Sequence, residues 1–200
     1  ILTVRPEPDG AFDVATLARR NVPALSAPLM ATSYHASEIS ALGKFSGVIL
    51  TSRHAVTGLC DATGSGLDDG IARLPAFAVG RATGRAAREA GFRNVTIGHG
   101  GGAGLVPLIT EAAPRLDGPL LWLAAVHRSF DMEEVLDGIA DVVTRPVYEM
   151  RETEILPDDA VAVIAGGNVL GVILMSARSA RLFRERLLAL GQDQAVAYMA

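Results

Sequence analysis

Apolar positions along the chain follow two rhythms. Short runs of β-branched and aliphatic residues, such as Gly47–Leu50, are separated by alanine-rich stretches whose apolar residues recur at helical spacing, such as Arg53–Ala62. Strand, helix and strand in succession mark parallel sheets covered by crossover helices, so the pattern predicts an α/β protein. It places strands at Ile1–Val4, Ala24–Pro28, Gly47–Leu50, Ala76–Val79, Asn94–Ile97, Leu120–Leu123, Val142–Met150, Val172–Met175 and Ala195–Tyr198. Between them it places helices at Ala11–Arg20, Arg53–Ala62, Gly84–Ala90, Leu105–Ala113, Asp131–Ile139, Asp158–Ala165 and Ala177–Leu190, with a further short helix ending at Gly43 after the polar stretch Thr32–Ser37. Gly91 and Gly191 stand where left-handed cap residues close helices. Ser129 precedes Asp131, Glu133 and Glu134, a hydroxyl cap with acid in the first turn.

The pattern also repeats itself. Gly47-Val48-Ile49-Leu50-Thr51-Ser52-Arg53-His54-Ala55-Val56 is echoed by Gly171-Val172-Ile173-Leu174-Met175-Ser176-Ala177-Arg178-Ser179-Ala180, an apolar strand running through a serine into a helix. Ala76–Val79 is echoed by Ala195–Tyr198. Two related α/β units are expected. The second is short of elements, so it should borrow Ile1–Pro28 to complete its sheet, with further residues expected beyond Ala200. Crossing out and back leaves two extended connectors, and Pro28 and Pro146 suit their edge positions.

Composition narrows the class. Half of the 200 residues are hydrophobic and a fifth are charged, enough apolar surface to offset chain entropy and exclude a disordered protein. The apolar runs stop far short of the roughly 20 residues a membrane helix requires, and no export leader is expected at Ile1–Pro6. A single cysteine, Cys60, forms no internal disulfide and anchors no thiolate zinc site, which fits a reducing cytoplasm. The net charge of −4 argues against the broad basic face that nucleic acid demands.

Ligands of open parallel sheets sit outside the carboxyl ends of the strands, where helix N-termini offer free N–H groups. The residues there are Arg5, Ser52 and Arg53, Gly80 and Thr83, Ala124 to Arg128, and Ser176 with Ser179. Hydroxyls, glycines and arginines bind anions well and include no evident general base; each hydroxyl is also a competent helix cap. Gly98, Gly100 and Ala103 satisfy a dinucleotide fingerprint, but the acidic partner Asp117 precedes a strand instead of ending one, so a flexible surface loop is the better reading. His35, His54, His99 and His127 have no ligand spacing, Ser52 and His54 stand too close at a helix start to form a dyad, and Asp68 and Asp69 read as solvated turn residues.

The pieces Thr3-Val4-Arg5-Pro6, Ala27-Pro28-Leu29, Gly47–Val56, Ala78-Val79-Gly80-Arg81-Ala82-Thr83, Ala90-Gly91-Phe92, Val147-Tyr148-Glu149 and Ser176–Ala180, in that order and spacing, resemble the uroporphyrinogen-III synthase family over nearly the whole length. The resemblance implies two flavodoxin-like parallel-sheet domains, 1–30 with 151–200 and 36–143, joined by a two-stranded β connector, 31–35 and 144–150. It implies that hydroxymethylbilane, lying between the domains, is cyclised to uroporphyrinogen III with loss of water and inversion of ring D, without cofactor or metal. By the same resemblance Tyr148 faces the cleft as proton donor to the departing hydroxyl. Ser52 and Thr83 line the cleft, Ser176 and Ser179 are their partners in the other domain, and Gly80 lets backbone approach the ligand. Ala124-Ala125 stands where relatives more often carry an Arg/Cys-Gly turn. A cytoplasmic monomer is expected. The alternatives are a two-domain protein that closes on a small anion, and a nucleotide-dependent oxidoreductase using the Gly98 loop.

Overall fold

The structure, a computed structural model, describes residues 1–35, 44–64, 66–128 and 130–192. The expected short helix before Gly43, the Ser129 cap and the strand Ala195–Tyr198 lie outside the described residues. In chain order the elements are β1 (Leu2–Thr3), α1 (Asp9–Ala18), β2 (Leu25–Ser26), β3 (Met30–Tyr34), β4 (Gly47–Leu50), α2 (Arg53–Thr63), α3 (Asp69–Arg73), β5 (Pro75–Ala78) and α4 (Arg81–Glu89). There follow β6 (Asn94–Ile97), α5 (Val106–Ala112), β7 (Leu120–Ala125), α6 (Met132–Val135), β8 (Val142–Glu152), α7 (Asp158–Ala165), β9 (Val172–Ile173) and α8 (Ala177–Ala189). The chain divides into two compact units, one of Ile1–Thr32 with Arg151–Ala200 and one of Ser33–Met150.

The larger unit is built on a sheet of order β3-β8-β7-β4-β5-β6, in which the pairs β8/β7, β7/β4, β4/β5 and β5/β6 are parallel. Both faces are covered, so β4 is apolar at every position and buried throughout. Alternation divides its residues. Val48 and Leu50 join Leu121 and Leu123 of β7 on the face packed by Ala55, Val56 and Leu59 of α2 and Ala87 of α4. Ile49, Leu120, Trp122 and Ala124 turn to the opposite face, with Ile109 of α5 and Met132 of α6. Each fully buried Leu or Ile contributes about 1.5–3 kcal/mol.

Counted along the chain from β4, the five parallel strands lie in the order 3-2-1-4-5. For this unit it departs from the flavodoxin-like expectation, whose order is 2-1-3-4-5; the described strands of the smaller unit, β2-β1-β9, follow the 2-1-3 part of that order. Helices cover one face after β4 and β5 and the other after β6 and β7, so the switch point falls between β4 and β7.

One irregularity matters for the site. The β7/β8 register runs evenly from Leu120↔Val142 to Ala124↔Pro146, then jumps to Ala125↔Tyr148, making Val147 the extra residue of a β-bulge. Val147 and Tyr148 therefore both pack on the α2 face, with exposures of 0% and 7%. Gly58 of α2 makes room: a Cβ there would lie 2.8 Å from the Val147 carbonyl oxygen.

The smaller unit has a parallel sheet of order β2-β1-β9, in which Leu2 pairs with Leu25 and with Val172. Its core joins Leu2, Val4 and Leu29 to Ala160 and Ile164 of α7 and to Leu182, Phe183 and Leu187 of α8.

Helix ends follow local chemistry. Gly91 has φ +112° and Gly191 φ +68°, and in each case the following N–H reaches back to the helix: Phe92 to the Ala87 carbonyl and Gln192 to the Leu187 carbonyl. The loop expected around Asp68 and Asp69 instead holds α3: the Asp68 carboxylate accepts from the Ile71 N–H at 2.9 Å, and Asp69 is its first residue. A capping side chain outweighs the turn preference of Asp and Gly. Among the described residues no helix is long and apolar enough to cross a membrane.

Candidate active site

The site begins at the switch point of the larger unit. After β4 the chain passes through Thr51 to Ser52, which caps α2 by accepting from the His54 N–H at 3.1 Å. The Ser52 side chain stands beside the Tyr148 phenol. Tyr148 is thus not an open surface residue: the bulge turns its ring into the α2 face and brings its hydroxyl to the carboxyl end of β4. Burial pushes its phenol above the ordinary value, while the neighbouring Ser52 side chain pulls the other way.

Beside β4, Trp122 of β7 donates its indole N–H to the Thr51 hydroxyl at 3.2 Å. The guanidinium of Arg128, in the loop after β7, stacks over the Trp122 ring at 5.1 Å and lies 3.7 Å from Asp131. Arg53, the first residue of α2, is half-buried. Gly80 is the N-cap of α4 in extended backbone, with open space where a Cβ would stand, and Thr83 is buried in the first turn of that helix. Space is what Gly80 leaves for an approaching group; its φ does not require glycine.

Two further groups join the site without any signal in the sequence. Tyr34 of β3 places its hydroxyl 2.9 Å from His54 Nδ1. Glu149, which follows Tyr148 on β8, lies 3.6 Å from His127 and 4.0 Å from His35. Tyr34 belongs to a stretch distinguished only by its polarity, and a pairing between distant segments leaves no spacing to detect.

The smaller unit treats its predicted residues differently. Arg5 is expected as an anion contact, but its guanidinium pairs with Asp9 and, at 3.0 Å, with Asp13, whose second oxygen accepts from Thr3. Two carboxylates thus face that guanidinium within the smaller unit. Ser176 and Ser179 form a reciprocal capping box: the Ser179 N–H donates to Ser176 Oγ at 3.1 Å, and the Ser176 N–H donates to Ser179 Oγ at 3.0 Å. The Gly98 loop is exposed at His99, Gly100 and Gly101 and is anchored at its ends, where a Cβ at Gly98 would fall 2.9 Å from Leu105 and one at Gly102 2.5 Å from the Phe130 ring. Among the described residues no group of His, Cys, Asp and Glu is arranged to hold a metal ion.

A family model described as Uroporphyrinogen-III synthase HemD matches residues 13–197. The chain belongs to the uroporphyrinogen-III synthase family. Its function is that family's, in heme biosynthesis, which makes it an enzyme of tetrapyrrole synthesis with a polypyrrole substrate. Neither the anion-binding nor the oxidoreductase alternative gains support from the match. Among solved structures, a mutant uroporphyrinogen III synthase from the extremely thermophilic bacterium Thermus thermophilus is similar with 20% identity and a TM-score of 0.59, covering 92% of this chain and 75% of the other. Uroporphyrinogen-III synthetase from Helicobacter pylori is similar with 18% identity and a TM-score of 0.58, covering 91% of this chain and 75% of the other. These likenesses show a shared mixed α/β fold. No curated protein matches the chain.

Proposed function

We propose that the chain is a hydro-lyase that closes hydroxymethylbilane to uroporphyrinogen III, and that Tyr148 is its proton donor. The observation that carries this reading is the bulge that turns the buried Tyr148 ring onto the N-terminal turn of α2, beside the switch point, 5.5 Å from the His54 ring. The substrate's hydroxyl leaves a carbon already activated by its pyrrole, whose nitrogen lone pair supplies the electrons as the C–O bond breaks. A proton from Tyr148 turns the departing group into water. The phenolate left behind is stabilised by the Ser52 hydroxyl and by the positive end of α2. It recovers a proton when the closing ring loses one at the carbon where the new bond has formed, so the net loss is water alone and no redox partner is needed.

The harder task is holding the chain folded so that the inverted closure outruns the simple one, which is positioning. The carboxylates of the substrate call for donors spread over a wide rim. In the larger unit these are Ser52, Arg53, Gly80, Thr83 and Arg128; in the smaller, the α8 N-terminus with Ser176 and Ser179. We assign 1–30 with 151–200 and 36–143 to two domains, with 31–35 and 144–150 as a two-stranded connector, in a cytoplasmic monomer that binds neither nucleic acid nor membrane. The net charge of −4 and the single cysteine support that setting. The test is to add hydroxymethylbilane and measure the product isomers. Excess III isomer over the spontaneous I isomer is expected; an unchanged ratio removes the assignment.

A further inference from the structure

Two tyrosines from the neighbouring strands β3 and β8 send their hydroxyls to the same turn of α2. Tyr148 stands beside the Ser52 side chain, while the Tyr34 hydroxyl is hydrogen-bonded to His54 Nδ1 at 2.9 Å. His54 lies between them, its ring centroid 6.2 Å from that of Tyr34 and 5.5 Å from that of Tyr148, with both pairs tilted at 34°. It is 7% exposed, and its backbone N–H is the donor to Ser52 Oγ.

One residue thus meets all three parts of the acid. Its main chain orients Ser52, its ring face limits the tilt of Tyr148, and its Nδ1 is tied to Tyr34, which fixes the imidazole plane. Burying an imidazole and two phenols against an otherwise apolar helix face costs free energy unless each finds a partner. A leucine would fill the volume without that requirement. The polar cluster is therefore poorly explained by packing, and well explained if the angle of the Tyr148 ring matters.

We propose that His54 is a positioning residue that acts through Tyr148, holding its phenol in the donating orientation, with Tyr34 as the anchor of the imidazole. The proposal rests on Tyr148 being the proton donor. It implies that side chains on the two strands are coupled at one turn of one helix.

The experiment is a double-mutant cycle read as kcat and KM for uroporphyrinogen III formation. His54→Ala is expected to lower kcat at least about tenfold with KM within about twofold, a split that removal of an orientation effect produces. Tyr148→Phe in that background should cost much less than in the parent, because the phenol is no longer aimed. His54→Asn, which offers an amide group near the position of Nδ1, should recover kcat to within about threefold of the parent. Tyr34→Phe keeps the ring and loses only the hydroxyl, so it probes the same coupling where His54→Ala folds poorly; its effect should persist in the His54→Asn background, whose amide keeps a partner for Tyr34, and vanish in the His54→Ala background. A parental kcat in both His54→Ala and Tyr34→Phe overturns the proposal. So does a Tyr148→Phe penalty that is the same with and without His54, while leaving the proton-donor reading intact. A Tyr148→Phe variant with parental kcat overturns the donor reading itself, and this proposal with it.

Discussion

The turn from β4 into α2 and the turn from β9 into α8 share a sequence and a backbone, yet their serines are used differently. Ser52 has φ −158° and ψ 154°, and Ser176 has φ −158° and ψ 158°. Three residues on, the smaller unit has Ser179, whose hydroxyl bonds back to Ser176 at 2.9 Å and closes the capping box. The larger unit has Ala55 there, which cannot reciprocate. The Ser52 hydroxyl accepts from the His54 N–H with Tyr148 beside it, and His54 takes the position that Arg178 holds in the echo. A repeated cap is thus no guarantee of repeated surroundings: both serines cap their helices, and the residue at the third helical position decides whether a second hydroxyl closes the box.

The largest break in this comparison is expected from Tyr148→Phe, which removes the proton and should lower turnover by about tenfold to a thousandfold, measured as uroporphyrinogen III formed per unit time. Unchanged turnover returns Tyr148 to packing. Gly58→Ala should come next. Helix propensity favours alanine by about 0.5–1 kcal/mol, but a Cβ 2.8 Å from the Val147 oxygen forces α2 off the bulge, and overpacking of this kind costs about 1–3 kcal/mol. Urea unfolding should show a net loss, and a gain would mean that the bulge yields freely. Ser176→Ala opens the capping box and should cost about 1 kcal/mol in the same measurement. Installing the box in the other unit, Ala55→Ser, should draw the Ser52 hydroxyl away from Tyr148 and lower kcat by about threefold, the worth of one shared hydrogen bond, while stability holds or rises.

The smallest effect is in pH. Burial raises both Tyr34 and Tyr148. A phenol raised in the folded state keeps its proton where the unfolded chain, with the ordinary value of about 10, has begun to lose it. The unfolded state then binds fewer protons, so stability is whole below about pH 10 and declines above it until the folded phenols also ionise. Absorbance of tyrosinate in the folded protein should therefore lag behind that of the denatured chain, and coincident titrations would contradict the burial described here.

Much of the fold is legible in the sequence because it is local. The bounds of Gly47–Leu50, Asn94–Ile97 and Asp158–Ala165 are those their hydrophobic rhythm predicts, since two covered faces leave no polar position in β4 and since Asp158 and Asp159 stand in the first turn of α7. The five-residue α3 is too short to show a period. Strand order is set by tertiary packing, and no run of residues encodes whether a sheet reads 3-2-1-4-5 or 2-1-3-4-5. Within the candidate site, Ser52 and Tyr148 can be singled out one at a time, but the link between them cannot, nor can the tie from Tyr34 to His54. The pairing of Arg5 with Asp9 and Asp13 is hidden for the same reason, because the carboxylates come to it only once α1 folds back beside β1.

The surplus residue at Val147 works as a half-step in the parity of the strand. Were the pleat to run regularly through Val147, an even count from Val142 would deliver the aromatic side chain to the side of the sheet covered by α5 and α6, with Glu149 turned toward α2 in its place. Deleting one residue between Thr144 and Tyr148 would therefore let a regular pleat hold the phenol opposite Ala125 on the same α2 side, but without the second side chain that Val147 packs under Gly58.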